Sequence, residues 1–557
     1  MRIRLFFPPA FQMLSSYPSI YYLKGFLKRH GYGDVRATDL NVRYWHSIYR
    51  KYDRLAIKLA GKIDAIRSDG RIINDALLSL QDDVDKIGDD VSRALRYFCR
   101  NEIADQDRRL TDRYAQALDV AERLHKYFYP DDHIFTDGYF SSLYLNKLVA
   151  SPDFPYSWFY DDQFRRMKRL RPDFIGISLI VHSQLIHAVA IARWSKKYFP
   201  DAHVCIGGPI LTDVFLSPRC GEYTRRNVFK YVDSVVCYEG EHSIVELLEH
   251  IEGKRRRLPE YTNVVFRHRA QMATAPSPHR DLYEPDYSDL EFEKYFNYVV
   301  MGNPRKRRKV MNFLASRGCY WSKCRFCKSY MVYKDYSQCA DLDNLVKVIR
   351  RCQTRFGLKY IRFNDEAVAL PQIEKISKAI LKNRLRVDWY TNMRVESSIN
   401  KEICNLAAKS GMIFALIGLE SGSQRVLDLM NKGIDLKTTE QMIRVLKKAG
   451  IGVQLYMMCY YPGETADDIR KSYEFIRRNR AFIHHFMWLD FLGHLNAPIF
   501  KTLKADQYYL MPRKYDLCTS FFLKKGPTRE MRKWHARIEN ADIHMKTKRS
   551  VPKGVLS

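Results

Sequence analysis

No run of eighteen or more apolar residues occurs in the 557-residue chain, so no membrane-spanning helix is indicated. Low-complexity tracts are also missing. The opening run Met1-Arg2-Ile3-Arg4-Leu5-Phe6-Phe7-Pro8-Pro9 reads as a short strand stopped by prolines, too short for a signal peptide. Cysteine is sparse: of twelve, three are grouped and the rest scattered, which excludes a secreted disulfide framework and predicts a reducing cytoplasm. Cys99 is the only cysteine before Cys205, and only Cys518 follows Cys459, so neither end offers a second cysteine cluster. What is present is globular: 46% apolar, 13% aromatic and 28% charged residues, in a length that predicts two or three domains.

Acidic residues are too few to balance the basic ones, leaving a formal net charge of +30. Such a balance raises encounter with nucleic acid, anionic lipid or acidic peptide. Lys and Arg are nevertheless spread from end to end, with short clusters only at Lys254-Arg255-Arg256-Arg257 and Pro304-Arg305-Lys306-Arg307-Arg308-Lys309. Clusters of that length are ordinarily solvated loops or helix faces. No recognised RNA-binding module accompanies them, so a nucleic-acid partner is not expected.

The hydrophobic pattern predicts an α/β chain of two halves. Met1–Phe7, Val35–Leu40, Asp173–Ile180, His203–Pro209 and Val232–Cys237 read as strands alternating with helices such as Ser19–Gly31, His187–Tyr198 and Ile244–Ile251. That is a doubly wound, Rossmann-like parallel sheet over residues 1–258, interrupted by a helical insertion at about 52–169. Residues 259–299 read as a linker with a short strand at Asn263–Arg267. From Val310 the alternation resumes through strands at Val310–Ala315, Tyr360–Phe363, Arg386–Thr391, Ile413–Gly418 and Gly452–Cys459. Residues 300–490 are therefore expected to form a partial (β/α)6 TIM-type barrel. From about Phe482 regularity fades, and 491–557 read as a C-terminal cap with a basic tail after Thr547.

Cys319, Cys324 and Cys327 form C-x4-C-x2-C in one loop just after the first of these barrel strands, where a barrel carries its chemistry. Three thiolates suit a [4Fe-4S] cluster that keeps one iron open, whereas structural zinc takes four closed ligands. No histidine lies between Cys319 and Cys339, and Cys339 follows only after a long polar interval.

Together with Gly418-Leu419-Glu420-Ser421-Gly422-Ser423-Gln424 and Met457–Thr465, these cysteines make residues 300–480 resemble radical S-adenosylmethionine enzymes, in their cobalamin-associated and methylthiotransferase-like branches. The usual spacing in that family is C-x3-C-x2-C; one residue within Tyr320-Trp321-Ser322-Lys323 is extra here. The resemblance implies that the open iron chelates S-adenosylmethionine and that one electron cleaves it to a 5′-deoxyadenosyl radical. It implies that Asp365 and Glu366, in Asn364-Asp365-Glu366-Ala367, accept from the methionine amino group in place of the family's Gly-Gly-Glu. Arg394 would pair with the methionine carboxylate, and Glu420 and Ser421 would take ribose hydroxyls.

The N-terminal half resembles the cobalamin-binding domain often fused ahead of this barrel. Ser178, Gly207 and Gly208 match its Ser and Gly-Gly elements, and Glu239-Gly240-Glu241 its last turn. The lower-ligand motif Asp-x-His-x-x-Gly is not intact: the aligned run Asp39-Leu40-Asn41-Val42-Arg43-Tyr44 has Asn for His. His182, His484 and His485 read as surface or core residues. Cys459, in an apolar strand, reads as packing, although its place near the barrel mouth makes it a catalytic candidate.

The leading expectation is C-methylation of an unactivated carbon in a small-molecule natural product or peptide, with cobalamin as methyl carrier and an electron donor such as flavodoxin or ferredoxin. The alternatives are a radical cyclisation, rearrangement or cross-link with cobalamin absent or only structural, and a nucleic-acid-binding protein with a structural cluster. Methylthiolation of tRNA lacks its N-terminal cysteine ligands.

Overall fold

The computed structural model describes the chain apart from residues 11, 12, 14, 70–72, 88, 101, 104–107, 129–140, 260–261, 267–281, 301–302, 329–335, 340 and 548–557. The basic tail after Thr547 therefore lies outside the described residues, as does the end of the short strand expected at Asn263–Arg267.

Strands β1 (Ile3–Phe7), β2 (Val35–Asp39), β3 (Phe174–Ser178), β4 (His203–Gly207), β5 (Ser234–Val236) and β6 (Val264–Phe266) form one sheet in the order β2-β1-β3-β4-β5-β6. All pair in parallel except β6, which runs antiparallel at the edge. β1 and β3 are buried along their whole length, the mark of a sheet covered on both faces. The strand order reverses between β1 and β3, so a crevice must open there at the carboxyl ends.

Helix α1 (Ser19–Arg29) follows β1, and α2 (Leu40–Arg50) follows β2, capped by the Asp39 carboxylate accepting from the Val42 N–H. α2 is continuous with the region read as an insertion. Within it, α3 (Tyr52–Ser68), α4 (Asp75–Ile87), α5 (Asp90–Phe98) and α6 (Arg108–Phe128) pack on one another. By contrast α7 (Ser142–Ala150) and α8 (Ser157–Met167) pack on α9 (Leu185–Tyr198) and complete the helical layer of the sheet. Two short helices escaped the periodicity reading, α10 (Pro209–Leu216) and α11 (Glu222–Val228), because each is about two turns long. α12 (Gly240–Ile251) closes this half.

Between the halves the chain is not a free connector. Leu282, Tyr287, Leu290, Phe292, Tyr295 and Phe296 are buried, and Asp289 receives the buried Lys24 ammonium of α1 at 2.6 Å. Asn303–Arg308 then pairs antiparallel with Tyr298–Val300 and with Glu102–Ile103 of the insertion.

The second sheet is β7 (Val310–Phe313), β8 (Tyr360–Phe363), β9 (Asp388–Met393), β10 (Met412–Glu420), β11 (Gly452–Cys459) and β12 (His485–Asp490), all parallel and in chain order. The intervening helices are α13 (Leu342–Phe356), α14 (Leu370–Lys382), α15 (Lys401–Lys409), α16 (Gln424–Leu429), α17 (Leu436–Lys448) and α18 (Ala466–Asn479). Local signals set their ends: Asp341, Asn400 and Asp435 cap α13, α15 and α17, and Thr465 with Asp468 forms a capping box for α18. This is the expected partial (β/α)6 barrel. Its sixth strand, β12, fell where the sequence pattern fades, since Met487 and Leu489 stay exposed at the open edge and blur the alternation. At the other edge Ser15–Ser16 from the N-terminal half pairs with β7, so the two sheets are stitched by backbone.

β13 (Gly493–His494), β14 (Tyr508–Leu510) and β15 (Ser520–Leu523) form an antiparallel cap, and α19 (Arg529–Thr547) packs on α18 and β12. No helix among the described residues is long and apolar enough to cross a membrane.

Gly208 is the tightest point of the first sheet. Its φ is +121°, and a Cβ there would sit 1.9 Å from the Leu179 carbonyl oxygen. Gly208→Ala is expected to cost at least ~1–3 kcal/mol of stability, read as a lowered denaturation midpoint, because strain and overlap add.

Candidate active site

The cysteine loop starts where β7 ends. Ser316–Arg317 pairs antiparallel with Ser337–Gln338, pinching the two stems together. Beneath them the buried Asp365 carboxylate accepts from the Ala315 N–H at 3.1 Å, from the Ser316 N–H, and from the Ser316 hydroxyl at 2.7 Å. Burial pushes the Asp365 carboxyl up to about 7, with those hydrogen bonds pulling the other way. Gln372 of α14 adds a side-chain N–H to the Ala315 carbonyl.

Within the loop Cys324 is buried, and Cys319 and Cys327 are half-buried. The longer first interval has a definite use. Ser322 takes a positive φ of 48°, which turns Trp321 out onto the segment after α16. There the Trp321 indole N–H donates to the Asn431 carbonyl at 2.9 Å, and the Asn431 side chain donates back to the Lys323 carbonyl at 3.0 Å. A Cβ on Gly433 would stand 2.0 Å from the Trp321 ring, so this contact needs glycine. The Arg325 N–H donates to Met430 at 2.8 Å, closing a second rung. Trp321, within the lengthened interval, thus anchors the loop on the neighbouring βα unit.

Two cations flank the thiols. Arg394, after β9, is buried, lies 4.8 Å from the Trp321 ring centre, and has one guanidinium nitrogen 3.8 Å from the Cys324 sulfur and another on the Lys432 carbonyl. Lys432 pairs with Glu420 at 2.8 Å. Burial raises the Cys324 thiol, while Lys432 and Arg394 oppose that rise and favour a thiolate. Among the described residues the single group of three potential ligands whose donor atoms lie within 4.8 Å of one another is Cys459, Asp490 and His535.

Facing this loop is the crevice predicted by the strand order. A cavity of about 260 Å³ is lined from the first sheet by Ser178, Gly207, Gly208, Glu239 and Gly240, and from the barrel by Arg317, Gly318, Asn364, Asp365 and Glu366. The Ser178 hydroxyl donates to Ser19 at 2.9 Å at the head of α1. No histidine is among the described lining residues. The run Asp39–Tyr44 does not line it either: Asp39 caps α2 and accepts from Tyr295, and Asn41 is buried within the domain.

The two walls are joined by groups that the sequence reading did not single out. Arg317 pairs with Glu241, the residue after Gly240, at 2.6 Å, with both side chains largely buried. Burial works against ionised Glu241, but the guanidinium prevails and holds it below the usual carboxylate range. The Tyr22 hydroxyl of α1 donates to the Leu314 carbonyl and accepts from the Leu314 N–H. Lys328, directly after Cys327, reaches the buried Asp213 of α10, which also accepts from Asn496 and Thr519 of the cap. An arginine one residue before the loop glycine and a lysine one residue after the last cysteine were visible signals; Glu241 was legible only as part of the run Glu239-Gly240-Glu241, and Asp213 was not.

Of the expected barrel residues, Asp365 and Glu366 both reach the cavity, although the Asp365 carboxylate is spent on the loop stems. Arg394 lies beside Cys324. Ser421 is fully buried, accepting from the Ser423 N–H and contacting Ser472 of α18, and Glu420, at a positive φ of 74°, is held by Lys432. Glu420 and Ser421 do not line the cavity.

Comparison with known proteins agrees with this geometry. Residues 314–476 match the model of the Radical SAM superfamily. The match lies within the barrel half, and enzymes of that superfamily use a [4Fe-4S] cluster and S-adenosylmethionine. The chain is 26% identical over 328 residues to the anaerobic magnesium-protoporphyrin IX monomethyl ester cyclase of Rubrivivax gelatinosus, covering 57% of this chain and 56% of that protein. It therefore spans little more than half the length of that relative. It is 24% identical over 394 residues to the cytidylyl-2-hydroxyethylphosphonate methyltransferase of Streptomyces wedmorensis, covering 64% of this chain and 71% of that one. The fold matches a structure of the cobalamin-dependent S-adenosylmethionine radical enzyme OxsB with aqua-cobalamin and S-adenosylmethionine bound, with a TM-score of 0.63 at 13% identity, over 99% of this chain and 69% of that one. An N-terminal Rossmann-like domain followed by a radical SAM barrel is thus the architecture of this chain.

Trp321→Ala is expected to leave the three cysteines in place yet loosen the loop, so that the reconstituted cluster bleaches in air several-fold faster than in the wild type, followed by absorbance. The Asp365 carboxyl binds its proton more tightly folded than unfolded. Stability should therefore fall as pH rises from about 4 to about 7 and level off above. Asp365→Asn should flatten that part of the stability profile, measured by denaturant melts across the range.

Proposed function

We propose that this protein is a cobalamin-dependent radical S-adenosylmethionine enzyme that methylates an unactivated carbon of a small molecule or peptide. The observation that carries the reading is the shared cavity: the glycine-lined crevice of the first sheet and the stem of the cysteine loop are walls of one space. A Rossmann-like domain kept only as a support would have no need to direct its ligand crevice at the radical centre.

Cys319, Cys324 and Cys327 would hold the [4Fe-4S] cluster, which supplies the electron that cleaves a carbon–sulfur bond of S-adenosylmethionine. Lys432 and Arg394, which oppose the rise that burial gives the Cys324 thiol, would favour its thiolate as a ligand, and Trp321 fixes the loop. Glu366, exposed at the barrel end of the cavity, accepts from an ammonium group entering there. Arg394, beside Cys324, would pair with the methionine carboxylate, while Glu420, held by Lys432, lies outside the cavity lining. On the other wall Ser178, Gly207, Gly208, Glu239 and Gly240 would receive cobalamin, which supplies a transferable methyl group when bound. The glycines fit that use, since a Cβ on Gly207 would crowd the Val236 carbonyl at 3.1 Å. The net charge of +30 suits an acidic one-electron donor such as flavodoxin or ferredoxin.

A second reading, radical cyclisation without methyl transfer, is favoured by the similarity to the magnesium-protoporphyrin cyclase. The two separate experimentally. Anaerobically reconstituted protein purified with hydroxocobalamin should retain stoichiometric corrinoid, and on reduction should turn S-adenosylmethionine into both S-adenosylhomocysteine and 5′-deoxyadenosine. Gly207→Val should lose corrinoid and S-adenosylhomocysteine while keeping the cluster, and Cys324→Ala should lose both products. A wild type that retains no corrinoid and forms 5′-deoxyadenosine alone returns the second reading; zinc in place of iron, without cleavage, defeats both.

A further inference from the structure

Away from the cavity, three potential ligands from three elements converge at the open edge of the barrel. Cys459 ends β11, Asp490 ends β12, and His535 lies on α19. β11 and β12 pair so that Cys459 stands opposite Asp490. The Cys459 sulfur lies 3.1 Å from an Asp490 oxygen, which is 3.7 Å from the His535 Nε2. The three donor atoms fall within 4.8 Å of one another.

Strand alternation puts this group on the helix side of the barrel. Tyr456 packs with Tyr360, Tyr390 and Phe414 inside the barrel, whereas Cys459 is buried with Ile469, Phe475 and Ile538 on the outside. Cys459 therefore faces away from the radical chemistry, which removes it as a catalytic candidate. Trp488 lies two residues before Asp490 on the same strand face, with its indole N–H buried beside Cys459. Its ring and that of Tyr460 both lie against His535. Those rings restrict the imidazole and shield the sulfur, while Asp490 remains largely exposed and leaves a path from solvent.

We propose that Cys459, Asp490 and His535 bind a single zinc-type divalent cation that clasps α19 to the open edge of the barrel. The donor set is one thiolate, one carboxylate oxygen and one imidazole nitrogen, which leaves one position of a tetrahedral zinc to water from the Asp490 side; it is an open three-ligand site, not the closed four-ligand type of structural zinc. Binding exchanges the Cys459 thiol proton, released to solvent, for a metal–sulfur bond, and the oxidation state does not change. The site is separate from Cys319, Cys324 and Cys327 in ligands and in chemistry. A clasp suits this place because β12 is an edge strand whose outer face is covered by α19.

The test uses full-length, anaerobically reconstituted protein incubated with zinc chloride, desalted, and assayed by elemental analysis alongside cluster iron. The wild type should retain stoichiometric zinc, and so should Cys324→Ala, which lacks the cluster. His535→Ala, a helix change that keeps the strand pair, should weaken zinc binding by more than ~100-fold, since even outer-shell partners of a metal site commonly carry 10- to 100-fold. Cobalt(II) in place of zinc should give thiolate-to-metal absorption in the wild type and none in Cys459→Ser. Zinc should also slow proteolytic release of the C-terminal helix in the wild type and not in His535→Ala. The proposal fails if the wild type retains no zinc, leaving a thiol–carboxylate hydrogen bond only. It fails too if His535→Ala retains zinc as tightly, or if retention disappears with Cys324→Ala. Iron content and S-adenosylmethionine cleavage, measured on the same samples, report on the proposed function independently.

Discussion

The buried ion pair between Arg317 and Glu241 sets the geometry on which the site depends. Arg317 is in the stem of the cysteine loop, and Glu241 is in the first turn of α12, beside the last turn of the first sheet. Each charge has given up water and is compensated by the other, so losing one partner would cost ~3–5 kcal/mol. A pair of that kind cannot slide. It holds the carboxyl ends of two parallel sheets face to face at one separation, and the cavity is the space left between them. Tyr22 on Leu314 and Lys328 on Asp213 repeat the arrangement on either side, so the loop is tied to the N-terminal domain before its first cysteine and after its last.

The same economy explains the lengthened loop. A six-stranded barrel lacks two strands of wall, and a loop at its mouth has fewer neighbours to rest on than in a closed barrel. Trp321 supplies one by reaching the turn after α16, and Gly433 is the concession that makes room. The open edge is managed separately, by Ser15–Ser16 at β7, by the cap, and by α19 over β12.

Local rules made most of the fold legible. Buried parallel strands are continuous apolar runs, and barrel helices carry their caps and a 3.6-residue period, so the parallel barrel strands up to and including Gly452–Cys459 could be placed from spacing alone. β12 could not, because an edge strand with Met487 and Leu489 exposed loses the pattern that identifies it. The cysteine loop was legible as chemistry because ligand spacing is a local property. Asp365 and Ser421 were legible as polar residues at strand ends, but not in what they do. Whether a carboxylate faces a ligand or caps a pair of backbone N–H groups is decided by neighbours 50 residues away.

The amino-acid sequence by itself determined the class of centre, three thiolates after the first strand of a barrel, and the order of strands that opens a crevice in the first domain. Both follow from interactions between residues close in the chain. Only the tertiary structure decided that crevice and loop share one cavity, that Arg394 stands beside Cys324, and that Cys459 turns away from the chemistry towards Asp490 and His535. Those outcomes depend on packing and charge pairing across hundreds of residues, where burial selects among partners that no spacing rule relates.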